Sequence, residues 1–293
     1  VLIDRVLTYL EELDHVDLVI DATLGLGGYA EQILSHFATA SVLGIDQDQQ
    51  AIEVATQRLS AFKQRFSATH GNFRSISSIA QERVGTASAV IFDLGVSNLQ
   101  LSLAERGFSF QHDGPLDMRM DKSDSDSLTA WDVINTFEFR DMARIFREYG
   151  EERYAAKIAS GLIRFRNNKG SINTTGELVS VIREILPAPL QRKMGGHPAR
   201  KVFQALRIYV NQEISAIEEG LDGAFSCVAD GGVIIAISYH SLEDRIVKHK
   251  FRAWFQNDLG KILTRKPVVP DENEIARNYK ARSAKLRVFR KTQ

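Results

Sequence analysis

The segment Val19–Gly28, VIDATLGLGG, constrains the fold more than any other stretch of the chain. An apolar run, Leu18, Val19 and Ile20, ends in Asp21 and passes into a turn holding Gly25, Gly27 and Gly28. A helical pattern then starts near Tyr29 and carries Ile33, Leu34 and Phe37. Strand, glycine turn and helix in this order open a nucleotide-binding α/β unit. Glycine is required because the backbone must turn tightly and let a ligand lie against it. A second apolar run, Val42 to Ile45, ends in Asp46. A carboxylate there accepts hydrogen bonds from both hydroxyls of a ribose.

Two cofactor classes fit this pattern. Gly25, Gly27 and Ala30 satisfy G-x-G-x-x-G/A, and Asp46 stands where a dinucleotide enzyme keeps its ribose acid. Asp21 favours the other class. A pyrophosphate on the turn would lie near a carboxylate at the strand's end, and like charges repel. S-adenosylmethionine carries a cationic amino group and a sulfonium instead, and an acid beside the turn suits it. A structural turn with no ligand is the bland alternative, and acids at two successive strand ends speak against it.

Further along, Ala51–Phe62 has helix spacing, Arg65–Thr69 reads as a third strand, and Ala89–Phe92 as a fourth ending in Asp93. Strand–helix units at this spacing predict a parallel, doubly wound sheet. The rhythm breaks at residues 98–129, too long for an ordinary connection. Residues 130–192 have helical periodicity throughout, and Pro187, Pro189, Gly195, Gly196 and Pro198 mark a boundary. One long helix is expected over Phe203 to Leu221, then a return to the sheet at Val233–Ile237, a helix over Leu242–Phe255 and a last edge strand over Ala284–Arg290. The expected division is a sheet domain of residues 1–100 and 197–293 with a helical insertion at 101–196.

In parallel sheets, ligands bind outside the carboxyl ends of the strands. The polar residues expected there are Asp21, Asp46, Asp93 and the run Ser238-Tyr239-His240-Ser241. Asp93 would orient an amino group or an adenine edge, or else cap the next helix. Phe73, in a strand-end loop, would stack on a purine or belong to the core. His240 is a candidate general base, with a structural role as the alternative, and Ser241 is the expected N-cap with Asp244 at the third position. A Ser/His/Asp hydrolase is disfavoured because no G-x-S-x-G elbow is present. The segment Glu105–Asp121 mixes acids and arginines with Phe108, Phe110, Met118 and Met120, and reads as the wall or lid of a site. Asp113, Asp117 and Asp121 recur every four residues, but Pro115 and Arg119 argue against a metal site, and none is expected.

The motifs ERGFSFQHDGPLDMRMD, YGEE, HPARKVFQALRIYVN and SYHSLEDRIVK, in this order, resemble those of the bacterial 16S ribosomal RNA (cytidine-N(4))-methyltransferases. The likeness runs from Val1 to about Lys291. It implies a class I S-adenosylmethionine-dependent methyltransferase domain, Rossmann-like, with an inserted all-helical domain. The implied activity is methyl transfer to the exocyclic amine of one cytidine in small-subunit ribosomal RNA. The implied cofactor contacts are Gly27, Gly28, Tyr29, Asp46, Phe73, Asp93 and Gln100. The chain departs from the family pattern at Tyr29, where His is usual, and at Asn98-Leu99, where Ser-Pro is usual. For such chemistry Asp93 or Ser97 would hold the amine's hydrogens, and His240 or water would take the proton.

The formal net charge is zero, but Arg245–Gln293 holds 14 Lys/Arg against 4 Asp/Glu. A basic tail on a neutral chain points to a polyanionic partner. Asp113, Asp117 and Arg119 of the wall, Arg200, Lys201 and Arg207 beside the crevice, and Arg282 and Lys285 of the tail are the residues expected to meet RNA. The partner is expected to be 16S ribosomal RNA within a small ribosomal subunit or its precursor, bound by a monomer or homodimer. A dehydrogenase using NAD(P) on the same turn and a non-catalytic RNA-binding protein are the alternatives. Hydrophobic residues make up 44% and charged residues 25%, the profile of a globular protein. No apolar run is long enough to cross a membrane, and no signal-peptide pattern opens the chain. The single cysteine, Cys227, excludes an internal disulfide and reads as a small core residue, so a reducing, cytoplasmic compartment is expected.

Overall fold

The computed structural model describes residues 1–123 and 125–292. In chain order the elements are α1 (Ile3–Glu11), β1 (Leu18–Asp21), α2 (Gly28–His36), β2 (Ser41–Asp46), α3 (Gln49–Arg58), β3 (Phe66–His70), α4 (Ile76–Arg83) and β4 (Ala87–Asp93). Then come α5 (Asn98–Ser102), α6 (Ala130–Thr136), α7 (Phe139–Glu148), α8 (Ala155–Lys169), α9 (Thr175–Ile185), α10 (Ala188–Lys193) and α11 (Arg200–Val210). The chain closes with α12 (Glu213–Cys227), β5 (Val228–Ser238), α13 (Ser241–Gln256), β6 (Gly260–Ile262), α14 (Glu272–Arg277) and β7 (Lys285–Lys291).

Two compact units result: residues 1–95 with 214–293, and residues 96–213. The first is built on one seven-stranded sheet in the order β3-β2-β1-β4-β5-β7-β6. Strands β1 to β5 pair in parallel, and β7 runs antiparallel to both β5 and β6. The near-continuous apolar runs of the central strands follow from burial on both faces. Val19, Val42, Ala89, Ile91, Val233 and Ile235 point to a core shared with α1, α2 and α3. Their neighbours Ile20, Leu43, Val90, Phe92, Ile234 and Ala236 point to a second core, filled from the other side by α4, α12 and α13. The period of two along each strand thus assigns every second residue to one layer of helices. Cys227 is buried at the end of α12 in this second core.

The sheet differs from expectation at its basic end. The strand expected as the edge is β7, and it lies inside, between β5 and β6. The true edge, β6, has three residues, too few to leave a periodic signal. Val268 adds one further bridge to Leu286.

The second unit has its own core, drawn from α6 to α9, α11 and the preceding loop. Val202, Phe203, Ala205, Leu206 and Val210 of α11 belong to this core, so the unit extends past the expected boundary at residue 196. The single long helix expected over 203–221 is two helices, α11 and α12. Gln212 breaks them, with φ at +50° in the left-handed region. The side chain of the neighbouring Asn211 accepts from the Met120 N–H at 2.7 Å and donates to the Met118 carbonyl at 2.8 Å. Those bonds hold the loop where continuing helix was expected.

Candidate active site

In the first unit, β1, β2 and β4 lie side by side and each ends in an aspartate: Asp21, Asp46 and Asp93. The glycine turn begins directly after Asp21. Asp46 closes that turn from the neighbouring strand, its Oδ2 accepting the Gly25 N–H at 2.7 Å and its Oδ1 the Asp48 N–H at 2.9 Å. Gly25 and Gly27 both have positive φ, at +50° and +78°. A Cβ on Gly27 would also press on Leu59 at 3.0 Å, whereas one on Gly28 would meet nothing within 4 Å. The space beside Gly28, at the first turn of α2, is therefore open to a ligand.

Asp21 is fully buried. Its Oδ1 accepts the Thr23 N–H at 3.3 Å, while Oδ2 has no partner within hydrogen-bond distance among the described residues, the Ala30 amide acting on the carboxyl only weakly. Burial pushes its pKa up to about 7, and the charges of Asp93 and Asp46 add to the effect. Asp46 is raised to about 6 by burial, with the amides of Asp48 and Gly25 pulling the other way. Asp93 is raised to about 6, again by burial, against a hydrogen bond from Tyr239 that favours the carboxylate. Three desolvated acids at adjacent strand ends, one with an orphaned oxygen, form a site suited to a cation.

Two residues complete this arrangement: Tyr239, expected there as part of the polar run that ends β5, and Thr23, which the sequence did not single out. The Tyr239 hydroxyl donates to Asp93 Oδ1 at 2.6 Å. The Asp93 N–H donates to Thr23 Oγ1 at 2.6 Å, which ties β4 to the turn after β1. Tyr239 had a visible signal, since it belongs to the polar run that ends β5; Thr23 had none beyond its place next to Asp21. Tyr29 is buried on α2, and its hydroxyl donates to the Val1 carbonyl. Burial and the nearby Asp93 charge push its pKa well up, so it is a neutral donor. Phe73 is half-buried, edge-on to Phe92 at 5.6 Å between ring centroids and tight against α12 at Gly220.

His240 is the N-cap of α13, a place expected for Ser241. Its extended backbone (φ −139°, ψ 169°) is the conformation a cap needs. The ring accepts the Glu243 N–H on Nδ1 at 3.4 Å, and Nε2 stands 2.9 Å from Glu243 Oε1. Buried Glu243 returns the contact by accepting the N–H groups of Tyr239 and His240 on Oε2. Asp244, the expected partner of Ser241, instead pairs with Arg287 at 2.7 Å and Lys285 at 3.3 Å.

In the second unit, Ser97 and Gln100 form the capping box of α5, each accepting the other's N–H at 3.1 Å. The wall segment is a folded loop. Arg106, buried, donates to the carbonyls of Arg119 and Met120. Asp113 accepts the Gly176 N–H at 2.8 Å at the start of α9, and bonds from Thr174 and Gly176 lower its pKa. Asp117 takes a bidentate grip from Arg119 at 2.9 and 3.1 Å, which outweighs its desolvation and lowers its pKa. Asp121 accepts from Ser123. The three acids thus serve three different local partners. Arg207 is held by Glu213 at 2.7 and 2.8 Å, and Lys201 donates to the Glu151 carbonyl at 2.8 Å. Arg200 is exposed at the start of α11.

A sheet in this strand order, with a glycine turn after β1 and acids closing β1, β2 and β4, defines a Rossmann-like, doubly wound domain with its site at the carboxyl ends of the strands. The chain belongs to the MraW methylase family, whose profile matches residues 1–292. It is 44% identical to the ribosomal RNA small subunit methyltransferase H of Carboxydothermus hydrogenoformans, over 96% of this chain and 95% of that one. Among solved structures, an rRNA methylase from Streptococcus thermophilus covers 97% of this chain and 91% of its own at 11% identity and a TM-score of 0.45. A likeness that loose carries nothing for the site. Among the described residues, no helix is long and apolar enough to cross a membrane.

Proposed function

We propose that this methylase takes the methyl group of S-adenosylmethionine to the exocyclic amine of a cytidine in small-subunit (16S) ribosomal RNA. The observation that carries the reading is the set of three desolvated aspartates around an open glycine turn, one of them with an unpartnered buried oxygen. Such a set takes a cationic ligand and repels a pyrophosphate. S-adenosylmethionine supplies a methyl group activated by a sulfonium, together with an ammonium and a ribose. Asp46 would receive the ribose hydroxyls, and Asp21 would meet the donor's positive charge. Gly25, Gly27 and Gly28 let the backbone approach it, with Tyr29, Phe73 and Gln100 as further contacts implied by the family motifs.

The exocyclic amine of cytidine is a poor nucleophile, because its lone pair is delocalised into the ring. Asp93 accepts a hydrogen of that amine and is itself aimed by Tyr239. Ser97 is a second acceptor of the same kind. With its ring engaged at the end of α13, His240 is the weaker candidate for taking the proton, and water is the stronger. The RNA is 16S ribosomal RNA in the small subunit or its precursor, met in the cytoplasm. A base stacked in RNA must be turned out to be methylated. Arg200, Lys201 and Arg282 offer exposed charge for the backbone, whereas Arg207, Asp113 and Asp117 serve the fold first, as do Arg119, paired with Asp117, and Lys285, paired with Asp244. The test is transfer of labelled methyl from S-adenosylmethionine to small-subunit particles lacking the mark, with the modified nucleoside identified by mass spectrometry. Label on another nucleoside, or none at all, defeats the reading.

A further inference from the structure

Tyr279 is 71% exposed, the most exposed large apolar or aromatic side chain among the described residues. It opens a short 3-10 turn, Tyr279–Ser283, that links α14 to β7. The turn is anchored from beneath by Ala281 and Ala284, both buried, so it is a fixed part of the fold. The Arg282 guanidinium lies 5.9 Å from the Tyr279 ring centroid and donates to its hydroxyl at 3.0 Å. From Arg277 to Lys285 there are four cations and no acid. Arg277, Lys280 and Arg282 are all exposed.

The sheet register fixes where this turn stands. Lys285, which follows it directly, pairs with Ser238 at the carboxyl end of β5, and the adjacent Ile237 pairs with Asp93 at the carboxyl end of β4. The turn therefore leaves from the rim of the sheet that carries Asp93 and Tyr239. Solubility explains exposed cations but not an exposed aromatic ring held among them. A ring for stacking, flanked by charges for phosphates, is the arrangement that binds single-stranded nucleic acid.

We propose that Tyr279 is a stacking platform for an unpaired RNA base close to the target cytidine, with Arg277, Lys280 and Arg282 neutralising the adjoining phosphates. The inference rests on the reading of this chain as an RNA methylase. Elsewhere in the basic tail, Lys250 pairs with Asp222, Lys285 and Arg287 with Asp244, Arg290 with Glu12 and Lys291 with Asp230.

The experiment compares the full chain with Tyr279→Ala, Tyr279→Trp and the triple change Arg277→Gln, Lys280→Gln, Arg282→Gln. Binding to a protein-free fragment of small-subunit RNA and to the assembled subunit is measured across a salt series, with calorimetric binding of S-adenosylmethionine as the check on folding. Tyr279→Ala is expected to bind the fragment roughly 5- to 100-fold more weakly with its salt slope unchanged, because stacking releases no counterions. Tyr279→Trp is expected to bind at least as well as the wild type. The triple variant is expected to show a shallower slope, by about 0.7 for each single-strand phosphate it no longer neutralises. Donor binding stays the same in all. A Tyr279→Ala protein that binds and methylates like an active wild type overturns the platform alone. Weaker binding to the assembled subunit but not to the free fragment overturns it too, in favour of a protein contact. A wild type that takes up donor but neither binds nor methylates RNA removes the platform together with the RNA methylase reading.

Discussion

Tyr239 and Asp93 stand 146 positions apart in sequence and share a 2.6 Å hydrogen bond. A hydrogen bond to the charged form of an acid lowers its pKa, so the hydroxyl works against the burial that raises Asp93 to about 6. Removing it should raise Asp93 further. Tyr239→Phe is therefore expected to shift the acid limb of the kcat profile to higher pH, costing several-fold at pH 6.5 and little at pH 8.5. The KM for S-adenosylmethionine should change less than kcat. An unshifted limb with a uniformly lower kcat would mean that the hydroxyl serves packing and not the carboxylate.

At the level of elements, the loop before α6 owes its shape to close backbone approaches. A Cβ on Gly114 would lie 1.9 Å from the Ala104 carbonyl oxygen, and one on Gly107 would lie 2.1 Å from that of Pro115. Backbone atoms cannot step aside as a side-chain tip can. Gly114→Ala is expected to destabilise the protein by roughly 1–3 kcal/mol, as overpacking does. Gly196→Ala, where nothing lies within 4 Å, is the matched control and should melt with the wild type. Equal melting temperatures for the two variants would refute the tight-loop account. The end of α13 offers a second test. Asparagine is among the best N-caps. His240→Asn should therefore keep kcat within a few-fold if the imidazole only caps the helix. A loss of 100-fold or more, the scale of general-base catalysis, would restore His240 as the proton acceptor.

Over the whole molecule, the site's charge ties donor binding to pH. Asp21, Asp46 and Asp93 titrate near 7, 6 and 6 in the fold, against an ordinary carboxylate value of about 3.9. Their folded pKa values are raised, so the fold favours the protonated acids. The stability they contribute is complete below pH about 3.9 and is lost as pH rises through 6 to 7. A cationic donor has the opposite preference, since it attracts the carboxylates. Donor affinity should therefore climb between pH 5.5 and 7.5, and the donor should raise the melting temperature more at pH 7.5 than at pH 5.5. Calorimetry near pH 6.5 in buffers of different ionisation enthalpy should detect protons released on binding. Proton uptake, or affinity flat across that range, would place the donor's positive charge away from these acids.

The features readable from sequence were those fixed by neighbours along the chain. The continuous apolar runs of β1, β2 and β4, the positive-φ glycines between β1 and α2, and the acids that close the strands are local patterns, because strand periodicity and turn sterics act over a few residues. The helical character of residues 130–192 was legible for the same reason. Tertiary structure decided whatever depends on which distant segments meet. It moved β7 from the edge to the interior of the sheet, by adding a strand too short to announce itself. It split the helix over 203–221 where Asn211 holds the loop at Met118 and Met120. It drew Arg207 and several cations of the tail, Arg287, Arg290 and Lys291 among them, into ion pairs, which no charge count along the chain could foresee. Asp93 was legible as an acid at a strand end, but its partners Thr23 and Tyr239 were set by the pairing of β1, β4 and β5, and register is a property of the folded sheet.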